Sequence, residues 1–162
     1  MRNIPLLVPR MPSAEAILPC LRRVDANKHY TNFGPLNAEF EARLLADSAP
    51  QLGADNITTV SNCTVGLELA IQAYGIARPR VLIPSLTFVA TATAAIRAGG
   101  IPVFCDVDGD AWSLTPEIAL AAARAGEIDL VMPVCTFGRA QDTEAWDAFS
   151  EQTGIPVLID AA

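Results

Sequence analysis

The sequence alternates short apolar runs with segments of helical periodicity, and this alternation constrains the fold more than any other feature. Most of the runs are apolar at successive positions, so they are predicted as strands buried on both faces. Buried strands separated by helices indicate an α/β fold in which helices cover a mostly parallel sheet. The predicted strands are Ile57–Ser61, Arg80–Pro84, Pro102–Val107, Asp129–Val134 and Pro156–Asp160.

Helical patterns fill the gaps between these strands and also precede the first of them. Pro35 suits the first turn of a helix, where its missing N–H costs no hydrogen bond. The predicted helices are Ser13–Asn27, Pro35–Ser48, Thr64–Tyr74, Thr87–Ala98, Pro116–Ala125 and Asp142–Gln152.

Composition excludes several classes of protein. Of 162 residues, 51% are hydrophobic and 18% charged, which is typical of a globular domain. The net charge of -7 argues against a nucleic-acid partner, because proteins bind nucleic acids through clustered Lys and Arg side chains. The longest uncharged apolar stretch, residues 81–96, is too short to span a bilayer and contains Pro84, so no membrane segment is predicted.

The cysteines and the single histidine, His29, lack the spacing of a zinc site. No metal site is therefore predicted, and reduced thiols in a cytoplasmic protein are the default interpretation. The four cysteines are Cys20, Cys63, Cys105 and Cys135.

A polar turn, Ser61–Thr64, lies between the first predicted strand and the next helix. Helix starts present unpaired N–H groups, which favour an anion such as phosphate. Asn62 or Thr64 is also explained as an ordinary helix cap, which is the more common role. Neither GxGxxG nor GxxxxGK[ST] occurs, so the usual dinucleotide and nucleoside-triphosphate loops are missing.

Two more features fall at carboxyl ends of predicted strands, where ligands bind in such sheets. Phe88 follows Arg80–Pro84 and is placed to stack on a flat ring, although aromatic residues are more often part of the core. Asp160 ends an apolar run, and a buried carboxylate needs a charged or hydrogen-bonding partner. A protonated ring nitrogen and a neighbouring backbone turn both meet that need.

Together and in this order, these features resemble the DegT-type sugar aminotransferases, and the likeness covers nearly the whole chain. The chain has YTNFGP at residues 30–35, similar to the family's YTNGGP, and SNCTVGLELAI at 61–71, similar to SNGTAALHLAL. The most specific block is IPSLTFVATATAAIRAGGIPVFCDVD at 83–108. PVCTFG at 133–138 and VLIDAA at 157–162 are similar to PVHLYG and VIEDAA.

The resemblance implies a fold and a cofactor. The fold is the large domain of fold type I of the transferases that depend on pyridoxal 5'-phosphate (PLP): a three-layer, mostly parallel sheet flanked by helices, incomplete in these residues. The implied cofactor is PLP. Its phosphate is expected on the backbone N–H groups of Cys63 and Thr64 and on the Thr64 hydroxyl. Its ring is expected to stack on Phe88, with the ring nitrogen kept protonated by Asp160.

The resemblance also implies an organisation and a reaction. Residues 1–50 are expected to form a helical segment with the substrate-entrance loop, and residues 51–162 the first part of the PLP-binding domain. Thr31, Asn32 and Gly34 are expected at this entrance, near a dimer interface. The implied reaction moves an amino group from glutamate to a nucleotide-linked keto sugar, in a cytoplasmic homodimer.

Two departures from the family pattern stand out. Cys63 replaces the usual glycine, which puts a glycine-only backbone angle at that turn in question. Cys135 stands where many relatives have histidine, which affects the substrate side more than the cofactor side.

The Schiff-base lysine of the family has no counterpart in these residues. Lys28 is the one lysine of the chain and does not match the motif, which is expected beyond Ala162. No catalytic residue is therefore predicted here, and the chain as given is expected not to complete the reaction. Two alternatives stay open, a sugar dehydratase with histidine in place of that lysine and an inactive fragment that acts as a binding or assembly module.

The resemblance also implies a feature of the sheet. We expect the strand Ile57–Ser61 to stand apart from the other four strands.

Overall fold

The computed structural model describes residues 4–5, 8–53 and 56–162. The chain forms two compact units, one reaching to Thr59 and one spanning Val60–Ala162.

The first unit contains two helices, α1 (Ala14–Asn27) and α2 (Pro35–Ser48), as the sequence predicted. The side chain of Ser13 caps α1, and Pro35 opens α2 at a position that needs no backbone donor. An ion pair between Arg23 and Glu39 joins the two helices. Neither helix has a buried residue, so both expose their apolar side chains.

The strand predicted at Ile57–Ser61 is wrong, because no strand forms there in the described part of the chain. The backbone N–H of Thr59 donates to Oε1 of Glu41 at 2.7 Å, where a strand would bind a neighbouring backbone. This N–H, and then the Thr59 hydroxyl, lower the pKa of the Glu41 carboxyl. An apolar, β-branched run favours a strand, but only a partner backbone makes one.

The second unit is built on a parallel sheet, as predicted. Its strands are β1 (Arg80–Pro84), β2 (Ile101–Cys105) and β3 (Leu130–Val131), in the order β2-β1-β3. The register pairs Arg80 with Ile101 and Val81 with Leu130, so β1 is the central strand.

The predicted fifth strand, Pro156–Asp160, is present as an extended segment beside β3, held by two isolated parallel bridges. Leu158 N donates to Val131 O and Asp160 N donates to Pro133 O, both at 2.9 Å. The ladder is broken between them because Pro133 has no N–H to donate. The segment therefore pairs like a strand at its two ends only. We call it the 156–160 segment.

Helices cover both faces of this sheet. They are α3 (Cys63–Ala73), α4 (Val89–Arg97), α5 (Pro116–Ala125) and α6 (Thr143–Thr153), with a 3₁₀ turn at Thr136–Gly138. Each lies within two residues of its predicted bounds.

Alternate residues of β1 divide the core into two layers. Val81 and Ile83 pack with buried residues of α3 and α4, including Leu67. Leu82 faces the other way and packs with Trp146 and other residues of α5 and α6. The three-layer arrangement expected from strands buried on both faces is confirmed. Within the described ranges, no helix is long and apolar enough to cross a membrane.

We expect Leu82→Ala to lower the free energy of unfolding by about 2–5 kcal/mol, because it leaves a cavity in the central strand's packing. Leu69→Ala is the matched control, since Leu69 lies on α3 and is 52% exposed. Its effect should stay within about 1 kcal/mol. Urea unfolding followed by circular dichroism measures both, and equal losses would contradict this assignment of the core.

Candidate functional site

A cavity of about 220 Å³ opens where β1 and the 156–160 segment end and α3 and α4 begin. Ligands bind at this edge of a parallel sheet because the strand ends and helix starts leave a crevice there. The structure brings all four predicted cofactor-binding residues to this one cavity: Cys63, Thr64, Phe88 and Asp160.

Asp160 is fixed at the base of the cavity by both its backbone and its side chain. Its carbonyl accepts from Cys135 N at 2.8 Å, and its N–H donates to Pro133 O. Only 5% of the residue is exposed, and its Oδ2 accepts from Thr91 Oγ1 at 2.8 Å. Oδ1 accepts from the backbone N–H of Ala162 at 3.3 Å. The carboxylate therefore accepts from a hydroxyl and from the backbone turn at Ala162. The sequence analysis named such a turn as one of two possible partners.

Thr91 holds this carboxylate and Thr87 contacts Thr91, and the sequence interpretation missed both threonines. Thr91 is 1% exposed, and its Oγ1 lies 2.8 Å from Oγ1 of Thr87, which lies four residues earlier and just before α4. Polar side chains four residues apart meet on one face of a helix start. That spacing is visible in the sequence, but it does not reveal that Asp160 is the partner.

The start of α3 is suited to bind an anion. Asn62 caps the helix by accepting from Val65 N at 3.0 Å, which confirms the capping role. In the described part of the chain, the N–H groups of Cys63 and Thr64 donate to no protein acceptor. Free N–H groups at the positive end of a helix dipole attract phosphate. Cys63 has a helical backbone, so the cysteine there needs no glycine-only angle.

Phe88 lies just before α4 on the wall of the cavity and is 77% exposed. The alternative that it belongs to the core is therefore wrong. An aromatic face left open beside a cavity is available for stacking.

The charge in this cavity comes from one side chain. Asp160 is the only acidic or basic side chain among the described residues that line it. The Sγ atom of Cys63 lies 3.9 Å from Asp160 Oδ1. Burial, and then the Asp160 carboxylate, raise the pKa of the Cys63 thiol. Among the described residues, no cluster of three or more His, Cys, Asp or Glu side chains is placed to hold a metal.

The residues predicted at the substrate entrance lie in the loop between α1 and α2. Thr31 and Gly34 line a cavity of about 210 Å³ inside the first unit. His29 Nε2 lies 2.9 Å from Asn32 O, and a carbonyl only accepts, so the ring nitrogen donates. A Cβ at Gly34 would come within 3.0 Å of the His29 ring, so only glycine fits there without a shift. Their role at an entrance stays a prediction.

The model of the DegT/DnrJ/EryC1/StrS aminotransferase family matches residues 13–162. The chain belongs to this family. It is 32% identical over 154 residues to dTDP-4-amino-4,6-dideoxy-D-glucose transaminase of Shigella dysenteriae, covering 95% of this chain and 40% of the relative. It is 40% identical over 111 residues to 3-amino-5-hydroxybenzoate synthase of Amycolatopsis mediterranei (strain S699), covering 68% of this chain and 28% of that relative.

A solved structure agrees with the family's fold. The crystal structure of a PLP-dependent aminotransferase from Bacillus cereus ATCC 10987 matches with a TM-score of 0.90 at 35% identity. The match covers 99% of this chain and 44% of that one. The fold implied by the resemblance is therefore confirmed, and this DegT-family chain spans about 40% of the length of the Shigella relative.

Thr91→Val tests how this cavity is held together. The change removes the hydroxyl that binds Asp160 Oδ2 and leaves a buried carboxylate short of a donor. We expect a loss of about 1–3 kcal/mol in the free energy of unfolding. Thr93→Val is the control, since its hydroxyl donates to Val89 O on the exposed side of α4. A loss no larger than that of Thr93→Val would show that Thr91 does not stabilise the carboxylate.

Proposed function

We propose that this chain is the N-terminal portion of a PLP-dependent aminotransferase that moves an amino group from glutamate to a nucleotide-linked keto sugar. The supporting observation is that the buried Asp160 carboxylate lines the same cavity as the free N–H groups at the start of α3. PLP carries a phosphate at one end and a ring nitrogen at the other, and these groups suit those two partners. The residues of the cavity therefore fit the cofactor.

Cys63 and Thr64 bind the phosphate in this proposal. Their N–H groups donate to its oxygens at the positive end of the α3 dipole, and the Thr64 hydroxyl adds another donor. No lysine or arginine lines the described cavity wall, so backbone dipoles supply the positive potential there.

Asp160 holds the proton on the ring nitrogen. Its carboxylate is buried and fixed by Thr91, so the negative charge stays in place and favours the protonated ring. When bound, PLP supplies an electron sink for the carbon that gains or loses the amino group. Phe88 covers one face of the ring and keeps water from it.

The remaining parts of the proposal concern the substrates and the assembly. A nucleotide-linked sugar is supported by the name of the Shigella relative, a dTDP-sugar transaminase. Thr31, Asn32 and Gly34 are proposed to border the substrate entrance. The amine that attaches to the cofactor is proposed to lie beyond Ala162, since Lys28 does not match the family motif.

The proposed assembly is a homodimer, supported by the exposed apolar side chains of Ile17, Leu21 and Phe40 on α1 and α2. The proposed location is the cytoplasm, supported by the four free cysteines.

A ring compound without a nucleotide is a second candidate acceptor. The relative from Amycolatopsis is a 3-amino-5-hydroxybenzoate synthase. Its identity to this chain is higher than that of the Shigella relative, over a shorter match. The two candidates differ in whether the acceptor carries a diphosphate. Assaying glutamate-dependent amination of keto compounds with and without a nucleotide, in a longer protein that includes the amine proposed to lie beyond Ala162, separates them. Loss of water from the sugar without amination would instead indicate the dehydratase.

We expect Asp160→Asn to weaken PLP binding at least about tenfold, since a charge-assisted hydrogen bond to the ring nitrogen is lost. In a longer protein that includes the amine proposed beyond Ala162, glutamate-dependent amination should nearly disappear as well. Asp106→Asn is the control, because Asp106 is an exposed carboxylate that accepts from Val107 N in its own turn. Absorbance titration with PLP gives the affinities.

Equal affinity in wild-type protein and Asp160→Asn would overturn the role of Asp160. Wild-type protein that binds no PLP at all would favour the inactive binding module instead.

A further inference from the structure

The side chain of Cys63 contacts the carboxylate that the proposed mechanism uses. Cys63 and Asp160 are 97 positions apart in the sequence, yet Sγ lies 3.9 Å from Oδ1. The other carboxylate oxygen, Oδ2, accepts from Thr91 Oγ1 at 2.8 Å. Each oxygen of Asp160 therefore has a side-chain neighbour from a different helix start, α3 for one and α4 for the other.

We propose that Cys63 is a positioning residue whose S–H donates to Oδ1 of Asp160, so that Cys63 helps Thr91 and the backbone N–H of Ala162 to fix the plane of the carboxylate. The inference rests on the proposed function, because the carboxylate is aligned for the ring nitrogen of PLP. A carboxylate aligned in advance binds its partner more tightly, since less freedom is lost on binding.

Cys63 is exposed as a residue, but its thiol is partly covered by the cavity wall, which favours the protonated form. Burial, and next the negative charge of Asp160, raise its pKa, so the S–H form persists at neutral pH. A thiolate in this position would repel the carboxylate. The other groups that line the cavity from α3, α4, Val134 and Ala162 add no acidic or basic side chain among the described residues. Asp160 is thus the charge that the thiol faces.

The other role of Cys63 needs no side chain. Its N–H at the start of α3 is a backbone group, which any residue except proline supplies. The helical backbone at this position accepts a larger residue without strain. The thiol is therefore free to serve the carboxylate while the N–H serves the phosphate.

The first test compares PLP affinity in Cys63→Ala and Cys63→Ser. Alanine removes the donor, and we expect roughly three- to tenfold weaker binding. Serine keeps a donor, so its affinity should lie closer to that of the wild type. Cys20→Ala is the control, because Cys20 belongs to the first unit and is not among the residues that line this cavity. Unchanged or tighter binding in Cys63→Ala would overturn the proposal, and so would a serine variant no better than alanine.

The second test needs no cofactor, so it separates this inference from the proposed function. The rate at which iodoacetamide alkylates Cys63 is measured against pH in wild-type protein and in Asp160→Asn, with peptide mass mapping. We expect the apparent pKa of Cys63 to fall in the variant, because the neighbouring negative charge is gone. The same pKa in both proteins would overturn the proposal.

Cys105 controls for unfolding in that experiment. Burial, followed by Asp106, raises its pKa to about 11, and its Sγ donates to Ile83 O away from the cavity. If the effect is local, removing the Asp160 charge lowers the pKa of Cys63 and leaves that of Cys105 unchanged. If both values fall together, the variant has unfolded, and Cys63→Ser with its retained affinity for PLP decides the question.

Discussion

The hydrogen bond between Thr91 and the buried carboxylate of Asp160 is the interaction on which the site depends. A carboxylate that is 5% exposed is stable only with donors, and its hydroxyl donor comes from a helix 69 positions away in the sequence. Thr91 brings the start of α4 to the carboxylate, while Pro133 and Cys135 fix its backbone beside β3. The position of this one negative charge is therefore determined by helix and sheet together.

The sequence predicted the local part of this arrangement well. Helices opening with Pro35 and Pro116 begin where predicted, because proline and capping residues act within one turn. Strand pairing is not local, and there the predictions were weaker. Ile57–Ser61 has the composition of a strand but no backbone neighbour, and the 156–160 segment loses part of its ladder at Pro133.

In the candidate site, too, the local features were predicted from the sequence and the contacts between distant segments were not. The sequence predicted that Cys63, Thr64, Phe88 and Asp160 share a function, and the structure gathers them at one cavity. Their roles toward PLP stay predictions. The hydrogen bond of Thr91 to the carboxylate, and the contact of the Cys63 thiol with it, depend on distances between chain segments. A residue pattern alone contains no such distances, although membership of the DegT/DnrJ/EryC1/StrS family confirms the fold in which they arise.

A crystal structure of the protein grown with PLP tests the central claim most directly. The account predicts phosphate oxygens within hydrogen-bond distance of the N–H groups of Cys63 and Thr64, the ring against Phe88, and the ring nitrogen on Asp160. The plane of the carboxylate should match that set by Thr91. Phosphate density elsewhere on the chain, or a ring turned so that Asp160 faces no ring nitrogen, would contradict it.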